Sequence, residues 1–452
     1  MENYQRIYYC SFLLILLINF SPLKILAYFS PLIFISFLFL FTDERPLIIL
    51  RGIYFLIIII ILFYVYYLVY DSFVIQNYLL AILTYSSFYP LLFIINKKIA
   101  NDNLLNKMLK VSLIVFTFEA IYGIIQAVYG FYVRGYFLGN SGDFVEGTIH
   151  PQLNTEASFS NPMFTVNMSM LLLGVLVFMK LYHKNVKVSL VLGIITLFLA
   201  SVIHVIIFLL IAAFITAIIF YKNELFHFTF SKIRWRFSSF ILIGTIAIAV
   251  IALIFDRKEQ IIDLGNQYLL NEVPRAIATN NFFDDIVPDN KEAIFIGLGP
   301  GQFSSRASLI GSGNYLGGIN NPRSVPLLKN KSNYFADQYI ISLIEKTASI
   351  EYYGSSQQPF YSWLSIISEF GILIFLSIII FIFYLIRKLK IASGKSSNIR
   401  FLAALTSTGI IFLFLLGAQE NYYEIPQAIF SGILLLKVMY SNVVYGSKKQ
   451  LI

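Results

Sequence analysis

"VSLVLGIITLFLASVIHVIIFLLIAAFITAIIFY", residues 188–221, is an apolar run about twice as long as the ~20 residues one helix needs to cross a hydrocarbon layer. Its only polar interruption around the middle is Ser201 with His204, so the run predicts two membrane helices, about 188–203 and 205–221, turning there. That reading fixes the class of the whole chain. A stretch of this kind cannot stay in water as a surface element, and it is too long to be one buried core helix.

The composition agrees. Of 452 residues, 58% are hydrophobic and 13% charged, and the mean hydropathy is +0.76, which excludes a soluble globular domain of this size. Aromatic residues make up 17%, with 44 Phe and 30 Tyr, as lipid-facing surfaces and interfacial belts require. The net charge of +9 comes from short Lys and Arg clusters between apolar segments, so it reports topology and not a nucleic-acid footprint. Cys10, the single cysteine, allows neither an intrachain disulfide nor a cysteine metal site. The opening "MENYQRIYYCSFLLILLINF" has no small-residue cleavage site after its apolar run and reads as an uncleaved first span.

On the length rule the fold class is all-α, a polytopic membrane protein with about 12 spans: about 7–22, 25–42, 52–70, 74–95, 111–131, 162–181, 188–203, 205–221, 237–255, 361–386, 401–418 and 427–442. Basic residues collect in the loops after even-numbered spans, among them Lys97 and Lys98, Lys184 and Lys187, Lys232 and Arg234, and Arg387, Lys388 and Lys390, whereas the short outer loops carry only Lys24 and Arg134. The positive-inside rule then puts both termini in the cytoplasm. Two hydrophilic segments face outward: a first external loop at 132–160 and a large one at 256–360, between helices 9 and 10. The chain thus divides into 1–255, 256–360 and 361–452. No internal repeat is visible.

The large loop contains "IFIGLGPGQFSSRASL", residues 294–309. It lacks the Gly-Lys-Ser/Thr of a nucleotide loop. Its glycines either present backbone N–H groups to an anion, with Arg306 adding a guanidinium fork, or simply supply the positive φ of a tight turn. In the first external loop, Arg134 stands where the fifth helix ends, and His150 has the ionisation range of a general base, although a lone loop histidine is more often just solvated. Ionisable groups inside spans cost about 2.5–3.5 kcal/mol and mark function. They are Glu119, in the cytoplasmic half of the fifth helix, His204 at an outer turn, and Glu369 two turns into the tenth helix, which could equally be an arginine's structural partner. Asn161 and Asn167 open the sixth helix and are placed to cap it or hydrogen-bond across helices.

Together, the long run of helices, the external loop carrying "GLGPGQF" (297–303), "QQPFYSWLSIISEFG" (357–371) leading into a helix and "FSNPMFTVNMSMLL" (159–172) resemble the O-antigen polymerase and ligase superfamily over about 110–430. The resemblance implies a GT-C-like glycosyltransferase of the bacterial inner membrane with its active face external. Such an enzyme takes glycan from an undecaprenyl-diphosphate-linked oligosaccharide and passes it to an acceptor hydroxyl, without cofactor, metal or nucleic acid. A chain-length regulator protein is the partner it allows, beside membrane lipid. Ligases of the superfamily carry a His-Asn pair where this chain has Phe360 and Tyr361, and Gln357, Gln358 and Ser362 are more like a Wzy-type polysaccharide polymerase. In "LASVIHVIIF" the family's Ser-Arg is replaced by Ser201-Val202.

On this resemblance the catalytic residues are Glu369 or His150 as base and Arg306 against the diphosphate charge. Arg134, Arg275, Arg306, Arg323, Gln302, Gln358 and Tyr353 bind diphosphate and glycan, with Tyr315, Tyr352 and Trp363 as further sugar platforms. The rivals are an O-antigen ligase, and a flippase for lipid-linked glycans, which would call for inverted or parallel repeats and short loops on both sides.

Overall fold

The computed structural model describes residues 2–135, 145–153, 161–182, 186–226, 262, 265–267, 270, 272–317, 321–323, 325, 328–347 and 358–446, and among these there is no strand. Its longer elements are α1 (Asn3–Asn19), α2 (Lys24–Phe41), α3 (Arg45–Val69), α4 (Ile75–Thr84), α5 (Asp102–Arg134), α6 (Asn161–Tyr182), α7 (Lys187–Leu199) and α8 (Ile203–Phe226). After the large loop, whose helices α9 (Pro274–Asn280) and α10 (Arg306–Ser312) are short, come α11 (Ser362–Phe370), α12 (Ile372–Ala392), α13 (Ser397–Leu416) and α14 (Pro426–Tyr445). Eight of the described helices are long and apolar enough to cross a membrane: α2, α3, α5, α6, α8, α12, α13 and α14.

The medium around them is legible from exposure. Leu56, Ile58 and Ile61 of α3 are each more than half exposed, and Ile380 and Phe383 of α12 are 68% exposed. At about 25 cal/mol per Å² such surfaces would be strongly unfavourable in water, and lipid removes the penalty. The chain is a helical membrane protein. Its centre is α6 packed on α14, both largely buried. Asn167 joins them: its amide donates to the Gln427 carbonyl at 2.7 Å, and its oxygen accepts from Ser431 Oγ at 3.0 Å.

The run 188–221 does divide in two. α7 stops at Leu199 and α8 begins at Ile203, and Ser201 is the one described residue other than glycine with positive φ, at 59°. A single left-handed residue costs roughly 1–2 kcal/mol and lets the chain reverse. Two expected spans are broken. The 74–95 run stops as α4 at Thr84 and continues in short turns through Tyr85–Phe88 and Pro90–Phe93. The 361–386 run is split at Gly371, φ 85°, into α11 and α12. The 237–255 span lies outside the described residues.

α5 begins earlier than expected because Asn101 caps it, accepting from the N–H groups of Asn103 and Leu104. Its 33 residues rise about 50 Å, more than the bilayer core. This places Glu119 differently from the expected span. The Thr148 hydroxyl bonds both Glu119 and the Phe20 carbonyl just after α1, so Glu119 lies level with the C-terminal end of α1 and the last turns of α5 extend beyond it. Residues 145–151 of the first external loop fold down against α5, with Gln126 accepting from the N–H groups of Glu146 and Gly147 and donating to the carbonyls of Gly147 and His150.

The described part of the large loop has its own apolar cluster, built from Phe282, Ile286, Phe303, Leu309 and Ile340 against Tyr66 and Tyr78 of α3 and α4 and Leu364 of α11. It is tied to α3 by the Tyr66 and Tyr70 hydroxyls, which donate to the Ile296 and Gly297 carbonyls at 2.7 and 2.9 Å.

Candidate functional site

The glycine-rich loop does cradle an acidic group, but the group is the protein's own Glu369 carboxyl. Gly297, Gly299 and Gly301 all have positive φ (76°, 101° and 79°), so the tight turn is real. The loop crosses the C-terminal end of α11, where carbonyls lack helical partners. Leu298 and Gly299 donate N–H groups to the carbonyls of Ser368 and Glu369 at 2.8 and 3.0 Å. The N–H groups of Gly301, Phe303 and Ser305 then donate to the Glu369 carboxyl at 2.6, 3.0 and 3.0 Å. A side chain at Gly297 would meet the Glu369 backbone at 2.3 Å, and one at Gly301 the Asn77 carbonyl at 2.2 Å, so both must be glycine. Glu369 is fully buried. Burial pushes its carboxyl up to about 7, and the backbone donors pull it back.

This loop ends at Ser305, whose hydroxyl caps α10 by accepting from Ser308 N–H, and so places Arg306 at the head of that helix. Arg306 is 8% exposed. Its guanidinium donates to the Tyr315 hydroxyl, lies 4.8 Å over that ring, and sits beside Tyr28 and Glu424. Glu424, in the turn before α14, is fully buried and accepts from Ala307 N–H at 3.3 Å and Thr84 Oγ1 at 3.4 Å. Burial, and next the charge of Glu369, push its carboxyl up to about 8, against the pull of Arg306. The break of α4 at Thr84 is what brings that hydroxyl to Glu424.

Arg275 reaches the same place from α9. It is 2% exposed, and its Nε donates to the Gln358 carbonyl at 3.1 Å. Its charge acts on His204 and Tyr422, which are joined Nε2 to hydroxyl at 2.9 Å. Burial, and next the charge of Glu420, hold the Tyr422 phenol well above its ordinary range, and the guanidinium groups of Arg275 and Arg306 both pull it down. The guanidinium groups of Arg275 and Arg306, from separate parts of the large loop, thus both bear electrostatically on one phenol, beside the charge of Glu420.

The other expected residues are placed differently. Gln302 is fully buried and spent within the protein: its oxygen accepts from Val74 N–H and Asn333 Nδ2, and its amide donates to Val74 and Pro300 carbonyls. Gln358 meets Arg275 through its backbone. Arg323 is exposed, its N–H bonded to Gly313. Arg134 closes α5, about 22 Å of helical rise beyond Glu119. Trp363 is anchored by its indole N–H on the Phe414 carbonyl at 3.0 Å. Tyr352 and Tyr353 lie outside the described residues. His150 is on the folded-back segment, where Nδ1 pairs with the buried Glu146 at 2.7 Å, so one ring nitrogen is fixed and a quarter of the side chain stays exposed.

No family model, curated protein or solved structure matches the chain. The arrangement must therefore be read from its chemistry. Two buried guanidinium groups favour a ligand with two or more negative oxygens, because each fork matches a phosphate bidentately and low polarity strengthens the attraction. Sequence reading missed Glu424 and Tyr422. The only signal was "ENYYEIP" (420–426), a carboxylate just before the proline that opens the last helix.

Proposed function

We propose that the chain is a polysaccharide polymerase, acting on O-antigen or capsule repeat units, that transfers glycan from undecaprenyl diphosphate to a hydroxyl of a second lipid-linked repeat unit. The observation that carries this reading is the burial of Arg275 and Arg306, whose charges both bear on Tyr422, at the end of the bundle opposite the basic loops. That is the level at which a polyprenyl diphosphate presents its headgroup when its tail lies in the bilayer. The sequence resemblance points to the same chemistry. With the segments outside the described residues, the reading takes a GT-C-like chain of about twelve spans, both termini cytoplasmic, in a bacterial inner membrane.

In this mechanism Arg275 and Arg306 hold the diphosphate and take up the charge that develops as the anomeric carbon–oxygen bond breaks. His150, held in one orientation by Glu146, accepts the proton of the attacking hydroxyl through its other ring nitrogen. The anomeric carbon is attacked opposite the leaving diphosphate, so its configuration inverts. In this mechanism the base is His150 and not Glu369. All of its contacts serve the loop that presents Arg306, and it is a positioning residue.

The test is reconstitution of purified protein with an undecaprenyl-diphosphate-linked repeat unit. A ladder of extended lipid-linked glycan, absent with His150→Gln, supports the reading. Transfer only to a non-carrier acceptor would make it a ligase, and movement of the donor across the bilayer without extension would make it a flippase.

A further inference from the structure

A charged cavity lies at the end of the bundle away from Arg306. It has a volume of about 420 Å³ and is formed where the end of α8, the end of α12 and the start of α13 meet. Lys222, Lys390 and Arg400 line it, with Ser393, Ser397 and the Phe220 ring, and among the described residues no acidic one contributes to its wall. Two of the three cations are held in place. Lys390 Nζ donates to the Ile219 carbonyl at 2.6 Å and lies 5.2 Å over Phe220, and Arg400 lies 5.5 Å over the Tyr221 ring. The N–H of Ile399 is taken by the Ser396 hydroxyl, so the start of α13 is capped by the protein itself and the cavity's charge comes from side chains.

The surroundings identify the class of ligand. Ile391 of α12 is 71% exposed and Phe214 of α8 is 67% exposed, on the two helices that bring Lys390 and Lys222 to the cavity. Cationic groups at the rim of a hydrophobic belt fit a molecule that joins a negative headgroup to acyl chains. A free anion would gain nothing from the apolar flank. The twenty residues of α13 separate this cavity from the Arg306 region by about 30 Å, so it is not part of the site described above.

The geometry points to this cavity as a binding site for the phosphate headgroup of an anionic phospholipid, at the face of the membrane where the basic loops gather. It does not depend on the polymerase reading. The bound lipid bridges α8, α12 and α13 at their ends.

Native mass spectrometry of the purified full chain in detergent, titrated separately with phosphatidylglycerol, phosphatidylcholine and inorganic phosphate, tests it. Phosphatidylglycerol is expected to stay bound and phosphatidylcholine to be lost. The double variant Lys222→Gln/Arg400→Gln should weaken phosphatidylglycerol roughly twentyfold, about fivefold per charge removed, and restoring charge in Lys222→Gln/Arg400→Lys should recover about fivefold. Should the double variant fail to fold, added sodium chloride must weaken phosphatidylglycerol binding to the unaltered protein instead. Equal retention of the two lipids, unchanged binding by a folded double variant, or displacement of phosphatidylglycerol by inorganic phosphate at comparable concentration would each overturn the assignment.

Discussion

Glu369→Gln separates the two roles this residue can have. The carboxyl offers two oxygens, one to Gly301 N–H at 2.6 Å and one shared by Phe303 and Ser305 N–H at 3.0 Å each. In either protonation state it keeps two acceptor oxygens, whereas an amide keeps one. In the better of its two orientations, glutamine retains Phe303 and Ser305 and turns its NH2 against the Gly301 donor. That loses one strong bond, worth about 1.5–3 kcal/mol, and leaves a buried N–H unpaired at about 1–3 kcal/mol. Taking these as overlapping, the loop should lose about 3 kcal/mol, which is roughly a hundredfold in its opening equilibrium. Hydrogen exchange resolved at residues 297–305 reads this directly. The variant should exchange there roughly a hundredfold faster, while α6 and α14, centred on a different apolar cluster, stay protected. Glycan extension should fall with the loop. Unchanged exchange at 297–305 with lost extension would refute the positioning role and restore Glu369 as a base.

Three further outcomes follow from the same geometry. Gly301→Ala puts a methyl 2.2 Å from the Asn77 carbonyl at φ 79°, so it should displace the loop more severely than Glu369→Gln by the same exchange measurement, whereas Gly394→Ala, with open space around it, should not. Glu424 has its carboxyl raised from 4.5 to about 8, so its contribution to stability is fully present below about 4.5 and is lost as pH rises through about 8; melting in detergent should fall across that upper limb, and Glu424→Gln should flatten it. Asn167→Leu removes both bonds between α6 and α14 and should lower stability by about 1–2 kcal/mol without touching the Arg306 site, read as a shift in thermal melting with extension retained below it.

The helices were legible where hydrophobic length alone decides them. The division of 188–221 at Ser201 could be read because a serine and a histidine are the only polar residues near its centre. The breaks at Thr84 and Gly371 could not, because the average apolarity of 74–95 and 361–386 conceals the partners that impose them. α4 ends where Thr84 meets Glu424, more than three hundred residues later, and α11 ends at Gly371, where any Cβ would lie 2.0 Å from the Phe295 carbonyl. Glu119 is placed differently for a related reason. Helix α5 starts at Asp102, nine residues before the expected span, and a loop that folds back sets Glu119 level with the C-terminal end of α1. In the candidate site, Arg275 and Arg306 could be singled out as external cations, since charge outside the basic loops needs an explanation. That a glycine-rich turn holds Glu369 and not a ligand depends on contacts across 64 to 68 residues, which no spacing rule contains.

The central claim is that two guanidinium groups bind a lipid diphosphate beside Tyr422. Its most direct test is thermal stabilisation of the purified protein by undecaprenyl diphosphate alone, compared among the unaltered chain, Arg275→Ala and Arg306→Ala. The account predicts stabilisation of the unaltered chain that grows with ligand concentration and is lost in both folded variants. Equal stabilisation of all three would contradict it.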